Sequence, residues 1–203
     1  MASTRYHHGS LRAALLEAGL RIAAAKGPAA LQLRDLAKAE GVSASAVYRH
    51  FPDLAHLSAE ISRLVRERLA QAMLDAAAAV LDHPDAGLLA TRRFDAIGRA
   101  YVSFAVTQPN LFDTAFQAPG APPSRPDDPD AWTVLNRSLD ALVEAGELST
   151  LMRVEAPMVA WSAVHGLAGI LVRRMPVEPI EQKSAVESVL SGVRRSLSLR
   201  SDL

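Results

Sequence analysis

Apolar residues in this chain recur at every third or fourth position almost from end to end. Nowhere do they alternate over a run long enough to make a strand. A chain patterned in this way buries its apolar stripes by packing helix on helix, so the expected fold class is all-α. Leu11, Leu15, Gly19, Ile22 and Ala23 set a first helix over residues 10–26, and Gly27-Pro28 ends it. A short helix over 33–40 turns Leu33, Leu36 and Ala37 inward and closes at Gly41. Ser43 stands where an N-cap accepts amide hydrogens, opening a third short helix that ends by His50, before Pro52. Leu57, Ile61, Leu64, Val65, Leu69 and Met73 then carry one long helix from Leu54 into the alanine run, broken near His83-Pro84. Further helical patterns cover 86–107, 110–116, 130–145, 154–174 and 181–198. The stretch from Gln117 to Pro129 holds five of the twelve prolines and reads as a loop.

Charge is divided unevenly along this pattern. The whole chain balances 22 basic against 22 acidic side chains in 203 residues. Residues 1–52 nevertheless hold seven basic ones (Arg5, Arg12, Arg21, Lys26, Arg34, Lys38, Arg49) against Glu17, Asp35 and Glu40, with three of the six histidines. A basic head on an acidic body places any polyanionic partner at the N-terminus. The absence of cysteine excludes disulfides, thiolate nucleophiles and Cys-ligated zinc, and fits a cytoplasmic setting. The first residues lack the apolar run of a signal peptide, and no stretch of about 18 uncharged apolar residues appears, so no membrane partner is expected.

Residues 33–50 have the order of a helix-turn-helix: two turns of helix, a tight Gly41-Val42-Ser43 turn, and a second short helix. Leu33, Leu36, Ala37, Val42 and Val47 are expected to hold the pair against Leu15, Ile22 and Phe51. Ala44, Ser45, Tyr48, Arg49 and His50 remain outward: small groups that let the backbone approach a major groove, then donors suited to phosphate oxygens. Many helical hairpins share this rhythm and bind nothing, so spacing alone leaves a purely structural hairpin open.

Tyr6-His7-His8-Gly9-Ser10-Leu11-Arg12, Leu33-Arg34-Asp35-Leu36-Ala37, Gly41-Val42-Ser43 and Ala46-Val47-Tyr48-Arg49-His50-Phe51 closely resemble the DNA-binding domain of tetracycline-repressor-like (TetR family) regulators. Tyr101-Val102-Ser103-Phe104-Ala105, Pro109-Asn110-Leu111-Phe112 and Trp161-Ser162-Ala163-Val164-His165-Gly166-Leu167 resemble the C-terminal domain of the subgroup named for its Trp-His-Gly signature. The resemblance implies about nine helices. A three-helix DNA-binding domain would occupy residues 1–53, with an arm over 1–8, and a ligand-binding and dimerisation domain would occupy 54–203. It implies a transcriptional regulator, in the usual case a repressor, that binds a palindromic duplex operator as a homodimer. By correspondence the DNA residues are Gln32, Arg34, Ser43, Ala44, Ser45, Tyr48, Arg49 and His50, with Arg5 a candidate for the minor groove. One departure is Leu54, where the family often has a phosphate-contacting lysine.

The resemblance further implies a cavity within the fifth to eighth helices for a small hydrophobic molecule. Tyr101, Phe104, Phe112, Phe116, Trp132, Trp161 and His165 are the candidate ligand residues, with Thr114 and Gln117 as further polar groups; a plain aromatic core remains open for the same residues. Val159, Ala160, Ala163, Leu167, Ile170 and Leu171 stripe one of the last two helices, and Val186, Val189, Leu190, Val193 and Leu197 the other. Part of these stripes is expected to join two subunits, with Ala163, Gly166 and Gly169 allowing close approach; internal packing of both stripes is the alternative. No HExxH, phosphate-binding glycine loop or GxSxG elbow occurs, so no enzyme and no cofactor is expected. His7-His8 and the trio Asp127, Asp128 and Asp130 lack the spacing of metal sites. A helical scaffold or small-molecule-binding protein that engages no DNA is the competing reading.

Overall fold

A computed structural model describes residues 8–117, 130–173 and 178–199. The described residues form ten α-helices and no strand. Arg5, His7, Asp127 and Asp128, and with them most of the expected arm and the proline-rich segment, lie outside the described residues.

Two compact units emerge. The N-terminal unit comprises described residues 8–66 and 108–117, and the C-terminal unit residues 67–107, 130–173 and 178–199. This division does not follow the boundary expected at residue 53. The N-terminal unit holds α1 (His8–Lys26), α2 (Leu33–Ala39), α3 (Ala44–Tyr48), the first part of α4 (Leu54–Ala78) and α6 (Pro109–Gln117). The C-terminal unit holds the rest of α4, α5 (Ala86–Thr107), α7 (Ala131–Glu144), α8 (Thr150–Arg153), α9 (Ala156–Arg173) and α10 (Pro179–Ser196).

Apolar spacing on α4 explains why one helix serves both units. Leu57, Ile61 and Val65 are fully buried in the N-terminal unit, where Gly19 of α1 faces Ile61 so closely that a Cβ there would lie 2.3 Å from Ile61 Cδ1. Leu69 and Met73 continue the same stripe into the C-terminal unit. Asp53 starts the helix by accepting the His56 amide at 2.9 Å, and this bond holds its carboxyl below the ordinary aspartate value.

Helix α6 belongs with the N-terminal unit because its partners are there. Asn110 Nδ2 donates to the Ala24 carbonyl at 2.9 Å, near the end of α1. The fully buried Ser62 hydroxyl donates to the Ala115 carbonyl at 3.0 Å, and Arg66 Nη1 reaches the same carbonyl at 3.2 Å. Both bonds satisfy a carbonyl in the last turn of α6, which no further turn of helix would otherwise reach.

In the C-terminal unit α5 is central, packing on α7, α9 and α10. Gly98 admits Leu190 of α10: a Cβ at that position would lie 2.6 Å from Leu190 Cδ2. Helix α8 was not expected from the sequence. Gly146, at φ 75°, turns the chain after α7, and Ser149 accepts the Met152 amide at 3.2 Å to start this single turn. By length and mean hydropathy (1.2) α9 is the one described helix apolar enough to cross a membrane, a test that a helix packed in a protein core also passes. Ala160, Leu167 and Ala168 are buried in the unit, while Met158, Val159 and Ile170 leave one apolar face open.

Candidate nucleic-acid interface and cavity

The turn between α2 and α3 is built as its residue types dictate. Gly41 has φ 65°, a backbone conformation that side-chain-bearing residues rarely adopt. Ser43 is extended and its Oγ accepts the Ala46 amide at 3.3 Å, capping α3, while it also pairs with Ser45 Oγ at 2.9 Å. Leu33, Leu36, Ala37, Ala46, Val47 and Phe51 are buried behind this surface, and Val42 and Ile22 are half-buried. Gln32, Arg34, Ser43, Ala44, Ser45, Tyr48 and Arg49 are all exposed, and His50 is half-buried. The structure thus brings the eight expected DNA residues onto one short stretch of backbone. Leu54, the departure from the family pattern, is exposed at the start of α4.

Electrostatics sorts the basic head into two groups. Arg12 pairs with Glu60 at 3.1 Å and lies over the Phe51 ring at 5.2 Å, and Arg21 pairs with Glu40 at 3.0 Å. These arginines hold helices together. Arg34, Lys38 and Arg49 make no ion pair among the described residues, and all three are exposed. Unpaired positive charge therefore sits on α2 and at the end of α3, beside the exposed Tyr48 hydroxyl, and also on Lys26 at the end of α1. That combination of cations, hydroxyl donors and small side chains suits a phosphate backbone with an accessible groove.

A second feature lies wholly in the C-terminal unit. A small, partly open cavity of about 30 Å³ is lined mainly by apolar groups from five helices, among them Met73, Phe94, Leu135, Val164 and Leu190. Its polar contribution is one pair: Tyr101 Oη lies 2.7 Å from His165 Nδ1. Burial pushes the Tyr101 phenol well above its ordinary value, and burial, then the Arg173 charge, lowers His165. The pair is therefore neutral near pH 7, and the imidazole tautomer sets which partner donates. Trp161 stacks on His165 (centroids 5.7 Å, planes 8° apart) and meets Tyr101 and Trp132 edge-on, each at 5.5 Å.

Of the expected ligand residues, Tyr101, Trp161 and His165 line the cavity. Trp132 touches it only through Trp161, and Phe104 is buried outside its lining. Phe112 and Phe116, with centroids 5.1 Å apart, lie on α6 in the N-terminal unit, as does the buried Thr114, whose hydroxyl donates to the Asn110 carbonyl. The Gln117 side chain is outside the described residues. These expectations diverge because helical spacing fixes which face of α6 is apolar, but not which unit that face packs against.

Sequence reasoning missed the polar ties between α5 and α10. Asp95, 9% exposed, pairs with Arg194, and Arg99 grips Glu187 through two bonds of 2.6 and 2.8 Å, which lowers the Glu187 carboxyl. Asp95 and Arg99 share one face of α5 at four-residue spacing, the only hint the sequence carried.

The family model for bacterial regulatory proteins of the tetR family matches residues 15–61. The model for the tetracyclin repressor-like C-terminal domain matches residues 94–192. Among solved structures, a protein of unknown function from Rhodococcus sp. RHA1 is 26% identical, with 96% of this chain and 99% of that one covered and a TM-score of 0.74. A TetR-family transcriptional regulator from Pectobacterium atrosepticum shares the fold at 17% identity, with 98% and 99% covered and a TM-score of 0.68. The TetR-family regulator PfmR from Thermus thermophilus does so at 21% identity, with 93% and 99% covered and a TM-score of 0.57. No curated protein sequence matches. With the helix-turn-helix model on one end, the repressor-like C-terminal model on the other and the capped α2–α3 turn between exposed cations, the chain belongs to the TetR family of transcriptional regulators, which are DNA-binding proteins rather than enzymes.

Proposed function

We propose that this protein is a cytoplasmic, ligand-responsive repressor that binds a palindromic operator as a homodimer. The observation that carries the reading is the surface of α2 and α3: Arg34, Lys38 and Arg49 unpaired and exposed beside Tyr48, behind a capped helix whose outward positions Ala44 and Ser45 are small. Small groups let the start of α3 enter the major groove, and the cations and the Tyr48 hydroxyl take phosphates on either side.

One α3 reads only a few base pairs, so specific affinity calls for two copies about 34–36 Å apart. The open face of α9 supports a subunit interface: Met158, Val159, Ala163, Gly166 and Ile170 recur along one side, and nothing lies within 4 Å of where Gly166 or Gly169 would carry a Cβ. On α10, Leu190, Val193 and Leu197 are buried within the unit, so Val186 and Val189, only half-buried, are the apolar residues left to contribute.

The effector is a small, uncharged, largely apolar molecule, because the cavity is aromatic and aliphatic with one neutral hydrogen-bonding pair. A volume of about 30 Å³ holds a water or two, so the effector must enlarge it. It does so at the expense of packing by Met73 of α4, and α4 runs without interruption into the N-terminal unit. A typical coupling of about 1–3 kcal/mol would change operator affinity roughly 5- to 150-fold.

Two measurements test this. Retention on nonspecific duplex DNA must fall steeply with salt, and sedimentation must give a dimer; salt-independent retention or a strict monomer overturns the reading.

A further inference from the structure

The C-terminal unit has another opening besides the cavity at Tyr101 and His165. It is a groove of about 460 Å³ between the end of α4, the first part of α5 and α7. Leu74 and Ala77, Leu89 and Ala90, and Val134 give it an apolar floor. A space of this size falls within the roughly 300–1,000 Å³ typical of small-molecule sites. Ile97 lines both spaces.

Charge around the groove is one-sided. Arg93 of α5 and Arg137 of α7 line it against one carboxylate, Glu144, which lies two turns further along α7, about 10 Å away. The Arg137 guanidinium has no partner among the described residues and is exposed. Arg93 Nη2 reaches Asp82 at 3.2 Å, but Asp82 is 94% exposed, and a pair of that kind is readily exchanged for another anion. Arg93 Nε is buried and lacks any acceptor among the described residues, a donor that an arriving oxygen would satisfy.

The lining also sets the shape of the molecule. No aromatic side chain lines the groove, in contrast to the cavity at Tyr101 and His165, and Ala77, Ala86, Ala90 and Ala141 leave a smooth channel beside the helices. Such walls offer nothing for a ring to stack on and suit a flexible hydrocarbon. The geometry points to a binding site for a medium-chain fatty acid, its chain on the apolar floor and its carboxylate held by Arg93 and Arg137. Guanidinium forks match carboxylate geometry, and the apolar floor contributes in proportion to the chain length it covers. This site does not depend on which molecule enters the cavity at Tyr101 and His165.

The test is calorimetric titration of the full chain with dodecanoate below its micelle concentration, with dodecanol as the uncharged control. Saturable binding is expected, about tenfold or more tighter for the acid than for the alcohol. Arg137→Gln should weaken the acid about tenfold, leave the alcohol unchanged and leave the helical circular dichroism intact, since Arg137 is exposed. Ala90→Trp, which plugs the floor, should abolish binding of both. Equal affinity for acid and alcohol, indifference to Arg137→Gln, or no saturable binding would each overturn the proposal. So would binding that survives both groove variants but is lost in Val164→Trp, because that result places the chain in the cavity at Tyr101 and His165.

Discussion

The proposed DNA-binding surface draws on residues 32–50, one short run of chain, whereas the cavity at Tyr101 and His165 draws on residues from Met73 to Val193 in five helices. In the first, each side chain is positioned by its own turn of helix and by a cap three residues away. In the second, every wall depends on long-range packing: Gly98 admitting Leu190, Trp161 stacking on His165, and Asp95 held to Arg194. A short site keeps its own local geometry when distant residues change. A dispersed one fails whenever any of its distant supports does, so its substitutions should register first as stability.

Arg194→Ala gives the largest expected contrast. It leaves Asp95 buried with only the longer contact to Arg99 at 3.6 Å and should lower stability by about 3 kcal/mol in chemical denaturation. A loss below about 1 kcal/mol would show that the α5–α10 tie is not what holds the cavity wall. Tyr48→Ala should do the reverse, weakening binding about tenfold on every duplex sequence alike while leaving the unfolding midpoint unchanged, because Tyr48 is exposed. Sequence-selective weakening by that substitution would mean that Tyr48 faces bases and that α3 is turned differently.

Ser43→Ala should affect both properties, removing the cap on α3 for about 1 kcal/mol of stability and loosening DNA binding with it. The smallest effect belongs to pH. Folding lowers the His165 value, so the unfolded chain takes up its proton first as the solution is acidified. The stability that the neutral imidazole contributes is present above about pH 6.5 and is lost as pH falls towards the folded value. An NMR titration should give His165 a midpoint below 6.5, and His165→Gln should remove that share of acid sensitivity; a midpoint at or above 6.5 would contradict the burial.

How far the sequence could be read follows from the same contrast. The bounds of α5, the Gly27 stop, the Ser43 cap and the outward set on α3 were legible because each is decided within four or five residues. Helix α8 was not, since one turn of Thr150–Arg153 is too short to show a period. Tyr101, Trp161 and His165 were found as a group through the family resemblance. Their hydrogen bond, and the placement of Phe112 and Phe116 in the other unit, depend on which helices pack together. The stripes of α9 and α10 were visible, but not that Leu190, Val193 and Leu197 turn inward while Met158 and Ile170 stay open. The groove lined by Arg93 and Arg137 left no trace in sequence, because its two cations come from helices about forty residues apart.

Enrichment of bound fragments from a random duplex pool tests operator recognition most directly, since it reads binding, symmetry and spacing together. An inverted repeat should emerge, with half-site centres about one helical turn (34–36 Å) apart or a bent variant of that spacing. A pool that shows no enrichment, or that converges on a single unrepeated motif, would contradict a symmetric dimer presenting two copies of α3 to DNA.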